Sequence, residues 1–154
     1  MAKLIIIHGF LASGKSTFAR NLAARCTNSV IYNADEVCEI IFSEYDLANA
    51  WDDCFEQTLN QLFRKAQVDL ANGCDVILDF GFWSRQERDT ARKIANMEKA
   101  DFEHYYLEVS DGEAMNRLKQ RKDVYAQKNL RNYFFLKKRF SPPHTDESHI
   151  SLNQ

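Results

Sequence analysis

The sequence predicts an α/β fold in three layers, a mainly parallel sheet of four to five strands with helices on both faces. Three observations predict it. Short continuous apolar runs alternate with longer stretches of helical periodicity, and the first run leads directly into a loop bounded by glycines. The 154 residues, with ordinary apolar and charged fractions, suffice for one hydrophobic core without disulfides or a structural metal. Such alternation implies right-handed crossovers and therefore parallel neighbours. A single domain over residues 1–154 follows, since no repeat, low-complexity tract or linker divides the chain.

Taken in order, Lys3 to His8 (KLIIIH) is apolar throughout, as a strand buried on both faces must be. Beyond a glycine loop, Phe18, Ala19, Leu22 and Ala23 recur at helical spacing between Lys15 and Arg25. Ser29 to Asn33 reads as a second strand, and Val37, Ile40 and Ile41 share one face of a helix from Asp35 to Glu44. A long helix spans Asp52 to Asn72, with Phe55, Leu59, Leu62, Phe63, Ala66 and Leu70 in one stripe and Asn72-Gly73 as its stop. Asp75 to Asp79 is the third strand. Ser84 and Glu87 form a capping box for a helix to about Met97. Phe102 to Val109 is the fourth strand, and Asp111 is placed to cap the helix after it. Pro142-Pro143 turns the chain before a possible fifth strand at His149 to Asn153.

The formal net charge of -2 argues against a whole-protein electrostatic hold on nucleic acid or an acidic membrane. No stretch is long and apolar enough to cross a bilayer, and no cleavable leader precedes the first strand. Cys26, Cys38, Cys54 and Cys74 have no zinc-like spacing and read as unpaired thiols, so a reducing cytoplasmic setting is expected. His8 and His104 read as strand or core histidines rather than catalysts.

Gly9-Phe-Leu-Ala12-Ser13-Gly14-Lys15-Ser16 fits G-x-x-x-x-G-K-[ST] at every fixed position. Its glycines allow successive amides to turn inward around an anion, and the helix that follows adds a positive dipole end at Lys15, Ser16 and Thr17. This pattern cradles the phosphates of ATP: Lys15 charges the β/γ region and the Ser16 hydroxyl is a ligand for Mg2+. The motif lies between a buried strand and an amphipathic helix, where its chemistry works.

In parallel sheets ligands bind off the carboxyl ends of strands. Asp35 follows the second strand at such an end; it either takes the proton of an attacking hydroxyl or caps its helix. Glu36 is the weaker candidate base. Asp79 ends the third strand, suited to a magnesium-bound water or to orienting an acceptor. Phe80, Phe82 and Trp83 around Gly81 are placed either to wall an acceptor ring or to pack.

Residues 117 to 139 hold nine lysines and arginines against one acid, a local charge of +8 that leaves the rest of the chain at -10. Arg117 and Arg121 are four apart, as on one helix face, and could neutralise charge on a transferred phosphoryl group. The interleaved Tyr125, Tyr133, Phe134 and Phe135 also suit single-stranded nucleic acid.

The loop GFLASGKST, the NADE after strand two, VILDFGFWSRQERDTARKIA, RLKQR and FSPPHTDE together resemble the small P-loop kinase-like ATP-binding proteins over nearly the whole chain. More distantly the layout is similar to chloramphenicol phosphotransferase, the zeta-toxin kinases and the kinase domain of phage polynucleotide kinase. The resemblance implies ATP, Asp35 as general base, Asp79 and Arg88 near the acceptor, and Arg117 or Arg121 as arginines of a lid at about 117–139; with Trp83 counted on the acceptor side from the residues themselves, the expected reaction is transfer from Mg-ATP to the hydroxyl of a small molecule. Polynucleotide kinase has an arginine three residues beyond its catalytic aspartate. Cys38 stands there in this chain, which weakens a nucleic-acid acceptor.

Overall fold

In the computed structural model, which describes residues Met1–Gln154, five strands form one parallel sheet. They are β1 (Lys3–His8), β2 (Ser29–Asn33), β3 (Asp75–Gly81), β4 (Asp101–Glu108) and β5 (Ile150–Asn153), in the order β2-β3-β1-β4-β5. The short C-terminal run is therefore a fifth strand, an edge paired to β4 from Tyr105 and Ile150 to Glu108 and Asn153. β1 and β3 are central neighbours, so their carboxyl ends lie side by side and the loops after them face one another. That adjacency positions the site.

Side-chain alternation along the strands divides the core. Leu4 and Ile6 of β1 join Val76, Leu78 and Phe80 of β3 on one face, covered by α3 (Glu44–Ala71) and α4 (Arg85–Met97). Ile5, Ile7, Ile77 and Leu107 point to the other face, under Ala19, Phe18 and Leu22 of α1 (Lys15–Ala23). Each fully buried aliphatic side chain of this kind contributes roughly 1.5–3 kcal/mol. The three expected layers are present.

Several boundaries depart from the sequence reading: β3 runs on to Gly81, two residues beyond Asp79, and α2 (Ala34–Ile41) stops before Glu44. α3 begins at Glu44 rather than Asp52, because Ser43 accepts from Asp46 N and starts a short helical piece that joins the long one across a non-helical Ala50 (φ -140, ψ 41). α5 (Asp111–Gln120) is capped by Ser110, whose hydroxyl accepts from Glu113 N, and not by Asp111. Asp111 instead accepts from the Tyr133 hydroxyl at 2.8 Å. This bond ties α5 to α7 (Tyr133–Lys137), with α6 (Val124–Arg131) between them. Phe10, Ala12, Ala114, Leu118, Ala126 and Tyr133 then form a separate cluster that seats the basic segment on the glycine loop.

Candidate active site

β1 ends at His8, and the Gly9 amide donates to Gly81 O at 3.1 Å, so the loop starts pinned to the end of β3. Gly9 has no room for a side chain: a Cβ there would lie 2.5 Å from Ser13 Oγ and 3.0 Å from Leu107 O. Ala12 (φ 55) and Gly14 (φ 88) adopt left-handed backbone, the conformation that turns consecutive amides to one side. Gly14 precedes α1 without any side-chain cap, which leaves the first-turn amides of Lys15, Ser16 and Thr17 without a side-chain partner. Ser13 Oγ and Lys15 Nζ both donate to Phe10 O at 2.8 Å, bracing the loop from within. Thr17 is exposed and accepts from Arg20 at 3.4 Å.

Asp79, 5% exposed, lies at this rim. Its Oδ2 accepts from the Ser16 hydroxyl at 2.8 Å and from Asn33 Nδ2 at 2.9 Å. β2 and β3 are in register at Asn33 and Asp79, so the second contact follows from strand pairing. The same asparagine caps α2 (Ala34–Ile41) by accepting from Glu36 N. Asp35 is thus relieved of the capping role that the sequence left open to it. Asn33 was missed at that level, although Asn followed by Glu three residues later is a helix-start signature.

Asp35 keeps a solvent-facing side while protein crowds the rest of its carboxyl. The crowding raises its pKa from the ordinary aspartate value, and the Lys15 ammonium opposes the rise. Burial draws Lys15 down from its ordinary value; Asp79 and Asp35 pull it up, and Arg121 pushes it down. Lys15, Asp35, Asp79 and Arg121 therefore share one electrostatic neighbourhood. Arg117 reaches the loop directly, donating from Nη1 to Ala12 O at 3.0 Å and from Nε to Glu113 at 3.0 Å. The expectation that Arg117 and Arg121 share one helix face is corrected: α5 stops at Gln120, and Arg121 is extended (φ -80, ψ 131).

Phe80 and Phe82 are core residues, stacked on each other at 5.4 Å, and do not wall a ligand site. Trp83 is half-buried over Gly81 and packs on Phe10 at 5.0 Å. Arg88 is the clearest correction. Expected near an acceptor, it is 0% exposed and forms a two-pronged pair with Glu147 at 2.9 and 3.0 Å. Its remaining donors go to Phe82 O, Ser141 O and Pro142 O. Glu147, the last residue of FSPPHTDE, has no role assigned from the sequence, because its partner lies 59 residues away.

His8 and His104 lie beside this pair, 0% and 2% exposed. Ser141 O can only accept, so His8 Nε2 carries the proton at 3.0 Å, and His8 Nδ1 accepts from His104 Nε2 at 3.0 Å. His104 Nδ1 then accepts from Arg92 at 3.3 Å. Burial, reinforced by Arg88, pulls His8 down to about 2; burial and Arg92 pull His104 down to about 3. Burial alone would raise Glu147, but hydrogen bonds from Arg88, His144 N and Arg92 hold it well below the carboxylate range.

All three shifts have one sign for stability. Unfolded imidazoles take up protons as pH falls through their ordinary 6.5, while the folded ones resist. The unfolded carboxyl does the same through 4.5. Stability is therefore fully present above about pH 6.5 and lost on acidification, by roughly 1.4 kcal/mol per pH unit for each imidazole. Urea unfolding at pH 7 and pH 5 checks this, and equal midpoints would contradict neutral buried histidines.

A family model described as an AAA domain matches residues 4–143. No curated protein matches the chain. Among solved structures, a sugar kinase from Janibacter sp. HTCC2649 is 18% identical with a TM-score of 0.74, covering 99% of this chain and 86% of that one. A gluconokinase from Sinorhizobium meliloti 1021 is 16% identical (TM-score 0.69; 98% and 82% covered). The Mycobacterium tuberculosis APS kinase, in complex with AMPPNP and APS, is 20% identical (TM-score 0.66; 99% and 88% covered). At these identities the likeness is one of fold.

Proposed function

The chain belongs to this AAA-domain family and has the fold of P-loop kinases, and on that premise we propose that it is an ATP-dependent phosphotransferase acting on the hydroxyl of a small molecule. The observation that carries the reading is the meeting of Lys15 and Ser16 at the start of α1 with Asp35 at the start of α2 and Asp79 near the end of β3. The Ser16 hydroxyl bonds Asp79 at 2.8 Å, and Asp35 stands within the field of Lys15. A hydroxyl and a carboxylate side by side are hard oxygen donors of the kind magnesium takes alongside water and phosphate. Ser16 and Asp79 would hold that ion, which when bound supplies neutralisation of the β- and γ-phosphate oxygens.

The loop amides from Gly9 through Ala12, Ser13 and Gly14 to Thr17 bind the polyphosphate, with Lys15 as their full charge. Asp35 accepts the proton as the acceptor oxygen bonds to the γ-phosphorus and the bond to the β-bridging oxygen breaks, releasing ADP. Arg117 and Arg121 balance charge spread over the transferred oxygens. The residues from 117 to 139 act as a lid on a single domain spanning 1–154. Trp83 borders the acceptor side. No helix of the chain is long and apolar enough to cross a membrane, and a cytoplasmic setting fits four free thiols.

A small acceptor is favoured over a strand by charge. Between Cys26 and Phe63 the chain holds eight acids and no lysine, arginine or histidine, and this stretch includes α2 and the start of α3 beside Asp35. A polyphosphate acceptor would be repelled there. A polynucleotide acceptor remains the second reading, because Tyr125, Phe134 and Phe135 are 52%, 59% and 68% exposed among the lid cations.

The test is a mass-spectrometric screen of hydroxyl metabolites, aminoglycosides, phenicols and a 5′-hydroxyl oligonucleotide for ATP-dependent gain of one phosphate. We expect the gain on a small molecule. Gain on the oligonucleotide alone, with affinity falling steeply with salt, would replace the first reading by the second. Tight ATP binding without gain on any acceptor would leave a nucleotide-binding module.

A further inference from the structure

Phosphoryl transfer leaves unused a group of buried ionisable side chains, His8, Arg88, His104 and Glu147. Their bonds converge on the roots of the site. Arg88 donates to Phe82 O at 2.9 Å in the turn after β3, three residues beyond Asp79. It donates to Ser141 O at 3.0 Å and Pro142 O at 3.3 Å, where the lid rejoins the sheet. His8, the residue before Gly9, donates to the same Ser141 oxygen. Ser141 N returns a bond to Trp83 O at 2.7 Å. Phe140, next to it, packs on Phe10 of the phosphate loop at 5.4 Å. One guanidinium thus joins the turn behind Asp79 to the exit of the lid, and His8 and Phe140 carry the connection on to the phosphate loop. Glu147 fixes that guanidinium in its plane, itself held by Arg92 and His144 N.

We propose that Glu147 is a positioning residue for phosphoryl transfer, setting through Arg88 where the lid leaves the sheet relative to the phosphate loop. The inference rests on the phosphotransferase reading. Burying an ion pair is a poor way to gain stability, since well-packed apolar residues of similar volume often serve as well or better. What Arg88 and Glu147 supply that such residues cannot is a set of directed bonds to three carbonyls on two separate segments, Phe82 O after β3 and Ser141 O and Pro142 O after the lid. Misplacement of a catalytic constellation by about 1 Å costs on the order of 10²-fold in rate.

The experiment compares the wild type with the double variant Arg88→Met, Glu147→Leu, which removes both charges at similar volume, and with Glu147→Asp, which keeps the charge but retracts it. Three quantities are read on each: the melting temperature, the affinity for AMPPNP with magnesium, and the turnover of ATP with water as acceptor. We expect AMPPNP affinity within about threefold of wild type and turnover lowered about 10- to 100-fold in the double variant. Glu147→Asp should show the same split at smaller size. A folded double variant with turnover within twofold of wild type would overturn the proposal. Should the double variant not fold, Glu147→Asp decides alone: at least a fivefold loss of turnover at unchanged affinity supports it, and unchanged turnover overturns it. Wild-type protein that neither binds AMPPNP nor turns over ATP contradicts the phosphotransferase reading instead, so the two failures are told apart.

Discussion

Replacing Lys15 with alanine is expected to lower ATP consumption by on the order of 10²–10³-fold, the cost of losing one preorganised donor from a site where charge develops, and to weaken ATP binding with it. The amide cup of residues 9–14 remains after this change, because its shape is set by the pinned Gly9, the left-handed Ala12 and Gly14, and the Ser13 bond to Phe10 O. What is lost is the one full charge at its lip. Asp79 and Asp35 favour the charged form of the Lys15 ammonium against burial, so its removal also takes a counter-charge from two carboxylates of the site. Thermal unfolding should change little, since Lys15 is only part-buried and its own bonds go to Phe10 O and Ser13 Oγ within the loop. A coupled ATP consumption assay decides; a variant within threefold of wild type would remove Lys15 from the mechanism.

Asp35→Asn is expected to spare nucleotide binding and to lower transfer by roughly 10²–10⁴-fold, the usual contribution of a general base. The amide has the shape of the carboxylate but cannot accept the acceptor proton. Asn33, not Asp35, caps α2, so the substitution leaves the helix start intact and the loss reports chemistry rather than folding. Neutralising a carboxylate near the phosphates should, if anything, tighten ATP. In the wild type, transfer should rise with pH through an ionisation raised above the ordinary aspartate value, since crowding raises Asp35 more than Lys15 lowers it. That acidic limb should be missing from whatever activity the variant keeps. Kinetics on the acceptor found by the screen check both points, and full transfer by Asp35→Asn would exclude it as the base.

The sequence revealed what is periodic or local. Alternating apolar runs exposed β1 to β4 and most helices, and the glycine and lysine spacing exposed the loop, because each signal lies within a few residues of its consequence. The start of α3 was misplaced because Ser43 and Asp46 begin a short turn whose stripe breaks at Ala50. Arg88 was misassigned for a different reason: its sequence neighbours resemble those of an acceptor-binding segment, while its partner Glu147 is brought to it only by the fold. The capping role of Asn33 was legible and overlooked. The seating of Arg117 on Ala12 O depends on how α5 packs over the loop, which no spacing encodes.

Calorimetric titration of the wild-type protein with ATP, with and without magnesium, tests the central claim most directly. Saturable binding to one site per chain, strengthened by the metal and lost in Lys15→Ala, is the predicted result. A titration that shows no binding of any nucleoside triphosphate in the presence of a divalent metal would contradict it.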